Sequence, residues 1–376
     1  MKFSKPCPTA QAHSDELFVV INERIKNNGG QITFAEYMQL ALYVPGLGYY
    51  AAGAHKLGAG GDFITAPEIS PLFSYCLARQ CQDVLNKLNG GDILEFGAGS
   101  GVMAKDILLY LQQQNSLPAH YYILEVSPDL QERQRDLLER ECPTLLTRVQ
   151  WLRQLPQPGF KGVILANEVL DAMPVHIFYR TETEVLEKYV TLENNQFAWR
   201  NHTASDPRLV EKVLQLEQQR GIPFAPGYCS EINLLADGWI QSIADFFQQG
   251  LILLIDYGFL RQEYYHPDRH MGTLMCHYQH QAHIDPLILP GLQDITAHVD
   301  FSAVGDVAEH AGLSVVDFTT QARFLLGMGL TDFVTSTQPE DVAGSYNIVQ
   351  QIKQLTMPQE MGELFKVMVL GKNFHN

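Results

Sequence analysis

Three closely spaced glycines form the strongest candidate for a ligand-binding turn in this 376-residue sequence. Gly97, Gly99 and Gly101 follow an apolar, strand-like run at 93–96 and precede a helical pattern that begins near Val102. Glycine accepts unusual backbone angles and lets a ligand approach the main chain where a side chain would collide. The amide groups that open the helix favour an anionic part of a ligand. The spacing therefore predicts a cofactor site, with a purely structural strand–helix turn as the alternative.

Acidic residues flank this turn at the ends of two strand-like runs. Glu95 lies just before the first glycine, Ala98 separates the first two glycines, and Glu125 lies 24 residues beyond the last one, followed by Val126. A carboxylate at the position of Glu125 can accept hydrogen bonds from both hydroxyls of a ribose, although a solvated strand-end side chain is the alternative. The dinucleotide signature Gly-x-Gly-x-x-Gly is not met, because Val102 stands at its last position. The turn instead resembles that of S-adenosylmethionine methyltransferases.

Three polar residues, Asn167, Glu168 and Asp171, follow the fourth strand-like run at 162–166. Reactive groups in open α/β sheets lie at the carboxyl ends of the strands, so these side chains are expected to face the cofactor. Glu168 is the leading candidate for a catalytic carboxylate that orients a cationic reactant, and Asp171 is the second. Asn167 is a candidate for cofactor binding. A helix-capping role for Asn167 or Asp171 is the alternative.

A parallel sheet is the scaffold that would bring these residues together. Continuous apolar runs, typical of strands covered on both faces, alternate with helical patterns, which predicts a doubly wound sheet whose last two strands pair antiparallel. The runs lie at 93–96, 121–125, 148–152, 162–166, 251–255, 313–318 and 367–370. Helices are predicted at 14–26 and 71–88, from Pro207 to Gly221, over 231–247 with Ser230 as its cap, and from Asp300 or Ser302 onward. Asn194 and Asn195 predict a hairpin turn within the segment between the fourth and fifth strands.

Composition narrows the class of protein. A hydrophobic fraction of 46% with 18% charged residues indicates a folded chain, and a net charge of −16 disfavours nucleic acid as a partner. The six cysteines show no Cys-x-x-Cys spacing, so neither a zinc ribbon nor a disulfide framework is predicted. His277, His280 and His283 are spaced by three but lack a placed carboxylate, which favours surface histidines over a metal site. No apolar run approaches the roughly 20 residues of a membrane span, and no signal peptide is evident, so we expect a cytoplasmic protein.

Taken together, the motifs resemble the MidA-like family of S-adenosylmethionine-dependent methyltransferases. Its mitochondrial members are assembly-factor methyltransferases of respiratory complex I. The resemblance covers most of the chain, and the blocks at 61–70 and 294–301 are the most distinctive, because ordinary methyltransferases have no counterpart to them. The matching blocks lie at 32–38, 45–50, 61–70, 97–101, 167–175, 256–258 and 294–301.

The resemblance implies a fold and further site residues. The fold would be α/β, a class I methyltransferase Rossmann-like seven-stranded, mostly parallel sheet, with an N-terminal helical cap and lid at 1–90. The methyltransferase core would span 91–376, with an insertion at 178–229 after strand four. Tyr49, Asp62 and Thr65 would belong to the lid over the cofactor. Asp256, at the end of the fifth strand, and His298, in a later loop, are further catalytic candidates.

The implied function is methyl transfer from S-adenosyl-L-methionine to an arginine of a protein partner, with no metal. Two alternatives stay open: a non-catalytic assembly factor that binds S-adenosyl-L-methionine, and a nucleotide-dependent oxidoreductase, which the incomplete dinucleotide signature disfavours. The expected partner is a protein, with neither nucleic acid nor membrane involved, and an oligomer is compatible with the sequence.

Overall fold

A computed structural model describes residues 5–52, 65–336 and 342–374. The strands are β1 (Gln31–Thr33), β2 (Asp92–Phe96), β3 (Tyr121–Leu124), β4 (Val149–Leu152), β5 (Phe160–Asn167), β6 (His176–Arg180), β7 (Val185–Glu193), β8 (Gln196–Thr203), β9 (Cys229–Ile232), β10 (Phe247–Phe259), β11 (Met275–Tyr278), β12 (Gln281–His283), β13 (Asp294–Thr296), β14 (Val299–Asp300), β15 (Ser314–Thr320) and β16 (Phe365–Lys372). The α-helices are α1 (Pro8–Asn27), α2 (Phe34–Tyr43), α3 (Ala66–Ile69), α4 (Pro71–Leu88), α5 (Val102–Gln113), α6 (Pro128–Glu141), α7 (Pro207–Arg220), α8 (Leu234–Phe246), α9 (Arg261–Tyr264), α10 (Phe301–His310), α11 (Gln321–Gly327), α12 (Leu330–Ser336), α13 (Val342–Thr356) and α14 (Met361–Leu364).

The central sheet has the strand order β15-β16-β10-β5-β2-β3-β4. The two-residue β14 pairs in parallel with the last two residues of β10. Strands β4, β3, β2, β5 and β10 are parallel. β16 runs antiparallel to both of its neighbours, β10 and β15. The mostly parallel sheet and the antiparallel pairing of the last two strands are therefore confirmed.

Helices cover both faces of this sheet, which explains the continuous apolar character of its strands. One face packs against α4 and α5, where Leu77 and Leu108 are fully buried. The other face packs against α8 and α10, with Ile243 and Ala308 fully buried. The C-terminal edge of the parallel strands is left for the loops that carry the candidate site residues.

A second, antiparallel sheet joins the N-terminal segment to the insertion. Its order is β1-β7-β6-β9, with β8 pairing β7, and Gln31 of β1 lies opposite Thr191 of β7. The insertion sheet runs from His176 to Ile232 and forms one layered unit with α1 and α2. In the structure α4 packs on the core, and the N-terminal segment shares its sheet with the insertion. The division into a cap at 1–90 and a core with an insertion at 178–229 stays a prediction.

Two local predictions in this region have opposite outcomes. Asn194 and Asn195 have φ angles of 49° and 63° and connect β7 to β8, so the hairpin is confirmed. The helix start at Ser230 is wrong, because Ser230 lies in β9, opposite Phe178 of β6. α8 begins at Leu234 and is capped by Asn233, whose Oδ1 accepts a hydrogen bond from the Ala236 amide at 2.9 Å.

A third sheet, β12-β11-β13, contains the spaced histidines. His277 and His283 lie in a hairpin rather than in the expected loop, and His283 is buried. In the parts of the chain that the structure describes, no cluster of His, Cys, Asp or Glu has the arrangement of a metal site. None of the helices described combines the length and the apolar character that a bilayer-spanning helix needs.

Candidate active site

The glycine turn forms one wall of a cavity of about 270 Å³ at the C-terminal edge of the central sheet. Gly97 and Gly99 have φ angles of 62° and 53°, a left-handed conformation that glycine adopts without strain. Ala98 and Ser100 line the cavity with these two glycines. Gly101, in contrast, precedes α5 and packs against α6, away from the lining, so its role is to shape the turn.

Glu125 and Val126 form the next part of the wall, at the end of β3. The Glu125 carboxylate accepts a hydrogen bond from the Ser127 amide at 2.9 Å and one from Gln134 Nε2 at 3.3 Å. Burial raises the pKa of this carboxyl above its usual value. A carboxylate offers about four lone-pair sites, so the described contacts leave room for ligand hydroxyls.

Asn167, Glu168 and Asp171 all line the same cavity, as the order of the strands predicts. Glu168 has a φ of 53°, and its amide donates to the Ile255 carbonyl of β10 at 2.9 Å. Its Oε1 accepts a hydrogen bond from Asn167 Nδ2 at 3.1 Å. Burial, with the nearby Asp171 carboxylate, raises the pKa of Glu168 to about 8.

Asp256 lies beneath this loop instead of in the cavity lining. Its Oδ2 accepts hydrogen bonds from the amides of Leu170 and Asp171, at 3.0 and 3.2 Å, and its Oδ1 accepts one from the Tyr257 amide. Burial raises the pKa values of both Asp256 and Asp171. Asp256 is therefore placed to hold the Asp171 main chain, and the structure does not bring it to the cavity as a reacting group.

Two buried oxygen atoms at the end of β5 lack hydrogen-bond partners among the described residues: Asn167 Oδ1 and Asp171 Oδ1. Buried polar atoms are normally paired, so these two mark where donors of a ligand would fit. S-adenosyl-L-methionine carries an ammonium group and ribose hydroxyls, which are donors of this kind. The glycine turn, the Glu125 carboxylate and Asn167 Oδ1 thus fit such a cofactor, and Asp171 Oδ1 remains for a second ligand.

Aromatic residues of the N-terminal segment close the cavity from the other side. The rings of Tyr43 and Tyr50 stack with centroids 5.6 Å apart, and both residues line the cavity. Tyr49, which we expected there, is instead fully buried in the core of the cap. Thr65 lies in the lining as expected, and Asp62 falls outside the described residues.

Glu95 contacts the cavity from below the glycine turn. It is 1% exposed, and the Tyr121 hydroxyl donates a hydrogen bond to its Oε2 at 2.6 Å. Burial raises the pKa of Glu95 to about 7. Its role in cofactor binding stays a prediction, since its described partner is an internal tyrosine.

His298 is separated from the donor cavity. It lines a second cavity of about 600 Å³, and its ring stacks on Phe259 at a centroid distance of 5.1 Å. Burial lowers the pKa of His298 to about 4, so it is neutral at physiological pH. The structure therefore does not support His298 as a catalytic residue of the donor cavity.

Several lining residues were not predicted from the sequence. Tyr43 ends α2 and its hydroxyl donates to the Ala172 carbonyl at 2.9 Å, yet nothing in its sequence context distinguishes it from a packing tyrosine. Glu68, just before α4, contacts Ser100 of the glycine turn. The only sequence signal for Glu68 was its place in the distinctive block at 61–70, in which no role was assigned to it.

Relatives of known function resemble this chain along most of its length. It is 30% identical over 369 residues to "Protein arginine methyltransferase NDUFAF7, mitochondrial" of Danio rerio, covering 90% of this chain and 82% of the relative. The Mus musculus protein of the same name is 31% identical over 380 residues, covering 92% and 82%. The expectation of a cytoplasmic protein is contradicted by this finding, since these relatives are mitochondrial.

A solved structure and a family match agree with these relatives. The chain superposes with a TM-score of 0.94 on a Burkholderia thailandensis protein bound to S-adenosyl-homocysteine, at 37% identity and with 100% and 96% of the two chains covered. This likeness confirms the class I methyltransferase fold and disfavours the oxidoreductase alternative. Residues 76–319 match the family described as "Putative S-adenosyl-L-methionine-dependent methyltransferase". The chain belongs to this family of S-adenosyl-L-methionine-dependent methyltransferases, as its motifs indicated.

Proposed function

We propose that this methyltransferase acts on the guanidinium group of an arginine in a protein substrate. The observation that carries the proposal is the pair of carboxylates, Glu168 and Asp171, in the wall of the donor cavity. Asp171 Oδ1 is buried and has no hydrogen-bond partner among the described residues. The names of the relatives, protein arginine methyltransferases, support the same acceptor.

The cofactor residues are part of this proposal. Gly97, Ala98 and Gly99 would contact S-adenosyl-L-methionine through their main chain, with Glu125 at its ribose and Val126 beside it. Further contacts come from Thr65 and Asn167, which line the same cavity. The bound cofactor supplies an activated methyl group, so the chain itself has to bind, orient and desolvate the acceptor.

The carboxylates would orient the acceptor and adjust its charge. A guanidinium is planar, delocalised and always protonated, which makes each of its nitrogens a weak nucleophile. Pairing of Glu168 with two of the nitrogens concentrates positive charge there and leaves electron density on the third. The methylated nitrogen gives up one proton, and Asp171, the second carboxylate of the cavity wall, would accept it.

Glu168→Gln tests this assignment. The variant keeps the shape and one acceptor but removes the charge, so we expect methyl transfer to fall roughly 100-fold, about 3 kcal/mol of transition-state stabilisation. The measurement is single-turnover transfer of a labelled methyl group to arginine peptides, followed by hydrolysis and identification of methylarginine. Glu132→Gln, at an exposed position of α6, is the matched control.

The affinity for S-adenosyl-homocysteine has to stay unchanged in Glu168→Gln, which separates a catalytic loss from misfolding. Unimpaired transfer in the variant would move the orienting role to Asp171. If the parent protein binds the cofactor but methylates no arginine, the proposed acceptor is wrong and the non-catalytic alternative is favoured.

A further inference from the structure

A second cavity, of about 600 Å³, lies beside the candidate active site and has no part in the chemistry proposed above. Its walls come from helices α7, α8 and α10, and we call it the helix groove. The floor is formed by small and branched apolar side chains of α8 and α10. These are Ala236, Ile240, Ala303, Val304 and Val307.

We propose that the helix groove binds the segment of the protein substrate that flanks the acceptor arginine, and that this segment is cationic. The inference rests on the proposed function and extends it, because it assigns the place where the rest of the substrate lies.

The groove and the donor cavity share one loop. Leu170 lines the groove, whereas its neighbours Val169 and Asp171 line the donor cavity. Asn233, at the start of α8, donates from Nδ2 to the Leu170 carbonyl at 3.3 Å and thereby ties the groove to this loop. The two cavities are thus separated by this one loop, and the proposal places the acceptor arginine of a chain that lies in the groove next to Asp171.

The length of the groove suits an extended peptide. It reaches along α10 from Ala303 to His310, seven residue steps, or about 10 Å at 1.5 Å per residue. An extended chain advances about 3.3 Å per residue, so about three substrate residues fill this length. Gln215 and Gln219 of α7 line the same groove and offer amide donors and acceptors for a peptide main chain.

Charge in the groove favours a cationic occupant. Four carboxylates line it, Glu231, Asp237, Asp300 and Asp306, against two bases, Lys212 and Arg261. Lys212 pairs with Asp237, and Arg261 pairs with Asp306 and lies 4.0 Å from Asp300. The carboxylates therefore outnumber the bases by two, on a chain whose net charge is −16. Complementary charge of this kind favours the encounter with a basic segment.

Arg261 has a hydrogen-bond donor that a bound peptide could pair with. Its Nε is buried and has no hydrogen-bond partner among the described residues. A main-chain carbonyl of the substrate segment is the acceptor that this donor lacks.

A binding experiment with two sizes of arginine ligand tests the groove. The small ligand is N-acetyl-arginine methylamide, and the large one is a labelled nonapeptide with a central arginine flanked by lysines and glycines. Both are titrated in the presence of S-adenosyl-homocysteine. We expect the parent protein to bind the nonapeptide at least tenfold more tightly, and a peptide with glutamates in place of lysines to lose this gain.

Ala303→Phe fills the groove, and Ala10→Phe in α1, at a similarly half-buried alanine, is its control. The groove variant should lose the tenfold gain while it keeps the parent affinities for S-adenosyl-homocysteine and the small ligand. Asp306→Asn should lose part of the gain, whereas Glu309→Gln, on the exposed side of the same helix, should not.

The outcomes separate this inference from the proposed function. Equal affinity of the parent for both ligands, or an unchanged gain in Ala303→Phe, overturns the groove proposal and leaves the arginine acceptor standing. Loss of a dimer in Ala303→Phe, seen by sedimentation, would assign the groove to a second copy of the chain and also overturn the proposal. A parent protein that binds neither arginine ligand contradicts the proposed function, and the groove proposal with it.

Discussion

Glu125 is the single residue whose sequence position and structural setting lead to the sharpest prediction about the cofactor. Its carboxylate is 6% exposed, lines the donor cavity and is held by the Ser127 amide and by Gln134. A ribose hydroxyl that donates to it forms a charge-assisted hydrogen bond. We expect Glu125→Ala to weaken S-adenosyl-homocysteine binding by about 2 kcal/mol, roughly 30-fold, measured by calorimetry.

Glu125→Gln is the control for the internal contacts, because the amide oxygen can still accept from the Ser127 amide. An intermediate loss is expected for this variant. Equal affinity of the parent and the alanine variant would mean that Glu125 only holds the loop after β3 and does not contact the ribose.

Tyr49 and Tyr50 show that residue type alone does not decide which side chain reaches the cavity. Tyr49 and Tyr50 are adjacent, and consecutive side chains of a loop point in different directions. The resemblance implied Tyr49 as the ring over the cofactor, whereas the structure brings Tyr50 to the cavity and buries Tyr49. The acidic residue types after β5 were sufficient to locate Glu168 and Asp171, because strand ends in a parallel sheet converge on one edge.

At the scale of elements, the ends of β5 and β10 together position the acceptor carboxylates. Glu168 donates its amide to Ile255 of β10, and Asp256, the next residue, accepts from the amides of Leu170 and Asp171. The loop after β5 therefore takes its conformation from its neighbouring strand. Asp256 is a positioning residue, which explains why it looked catalytic in the sequence although it lies outside the cavity lining.

Asp256→Asn should lower kcat for arginine methylation by about 10- to 100-fold, since the new side chain cannot accept both from the Tyr257 amide at one end and from the two loop amides at the other, and displaces the loop. Because the Glu168 and Asp171 carboxylates raise the pKa of Asp256, the substitution should also change the pH profile of kcat/KM. Unchanged affinity for S-adenosyl-homocysteine would show that the donor side is intact. A variant with the parent kcat and the parent pH profile would exclude this positioning role.

Helices and turns with a local sequence signal could be predicted, whereas strands that depend on pairing with a distant segment could not. The helix Pro71–Leu88 and the hairpin at Asn194 follow from local signals, namely proline and serine at a helix start and two residues that accept positive φ. Ser230 carries an equally good capping signal but lies in β9, because pairing with β6 competes with helix formation there. A capping signal is local and contains no information about a strand as distant in sequence as β6.

At the scale of the whole molecule, the cap and the insertion act as one wall of the active site. β1 and β7 are paired although about 160 residues separate them, and α2 of the same unit brings Tyr43 to the donor cavity. No sequence pattern connects two segments so far apart, which is why they were predicted as separate regions. The groove between the insertion helix α7 and the core helices is a consequence of this arrangement.

Buried acids also give the whole molecule a characteristic dependence of stability on pH. Burial raises the pKa of Glu95 to about 7 and that of Glu168 to about 8, above the value near 4.3 of an unfolded chain. The folded state therefore holds more protons than the unfolded state over this range. The stability that these protons contribute is complete below about pH 4 and is lost as the pH rises through 7 and 8. His298, whose pKa is lowered to about 4, has the opposite effect, but only up to its unfolded value near 6.5.

The interval from pH 6.5 to 8.5 lies above the titration of His298, so the buried carboxyls contribute there, joined near its upper end by the buried cysteines, whose pKa values burial also raises. Comparison with a glutamine variant separates Glu168 from the other groups. We expect the Tm of the ligand-free protein, measured by scanning calorimetry at constant ionic strength, to fall across about this interval. Glu168→Gln cannot ionise, so its Tm should exceed that of the parent by about 2–3 °C near pH 8.5 and equal it near pH 5. Glu132→Gln, at an exposed position, should follow the parent at both values. A Tm that stays level or rises over the interval, or a glutamine variant that tracks the parent throughout, would show that Glu168 is ionised in the folded protein without a bound cation. The carboxylate would then be ready for the guanidinium before the substrate arrives, and the acceptor would bind without a release of protons.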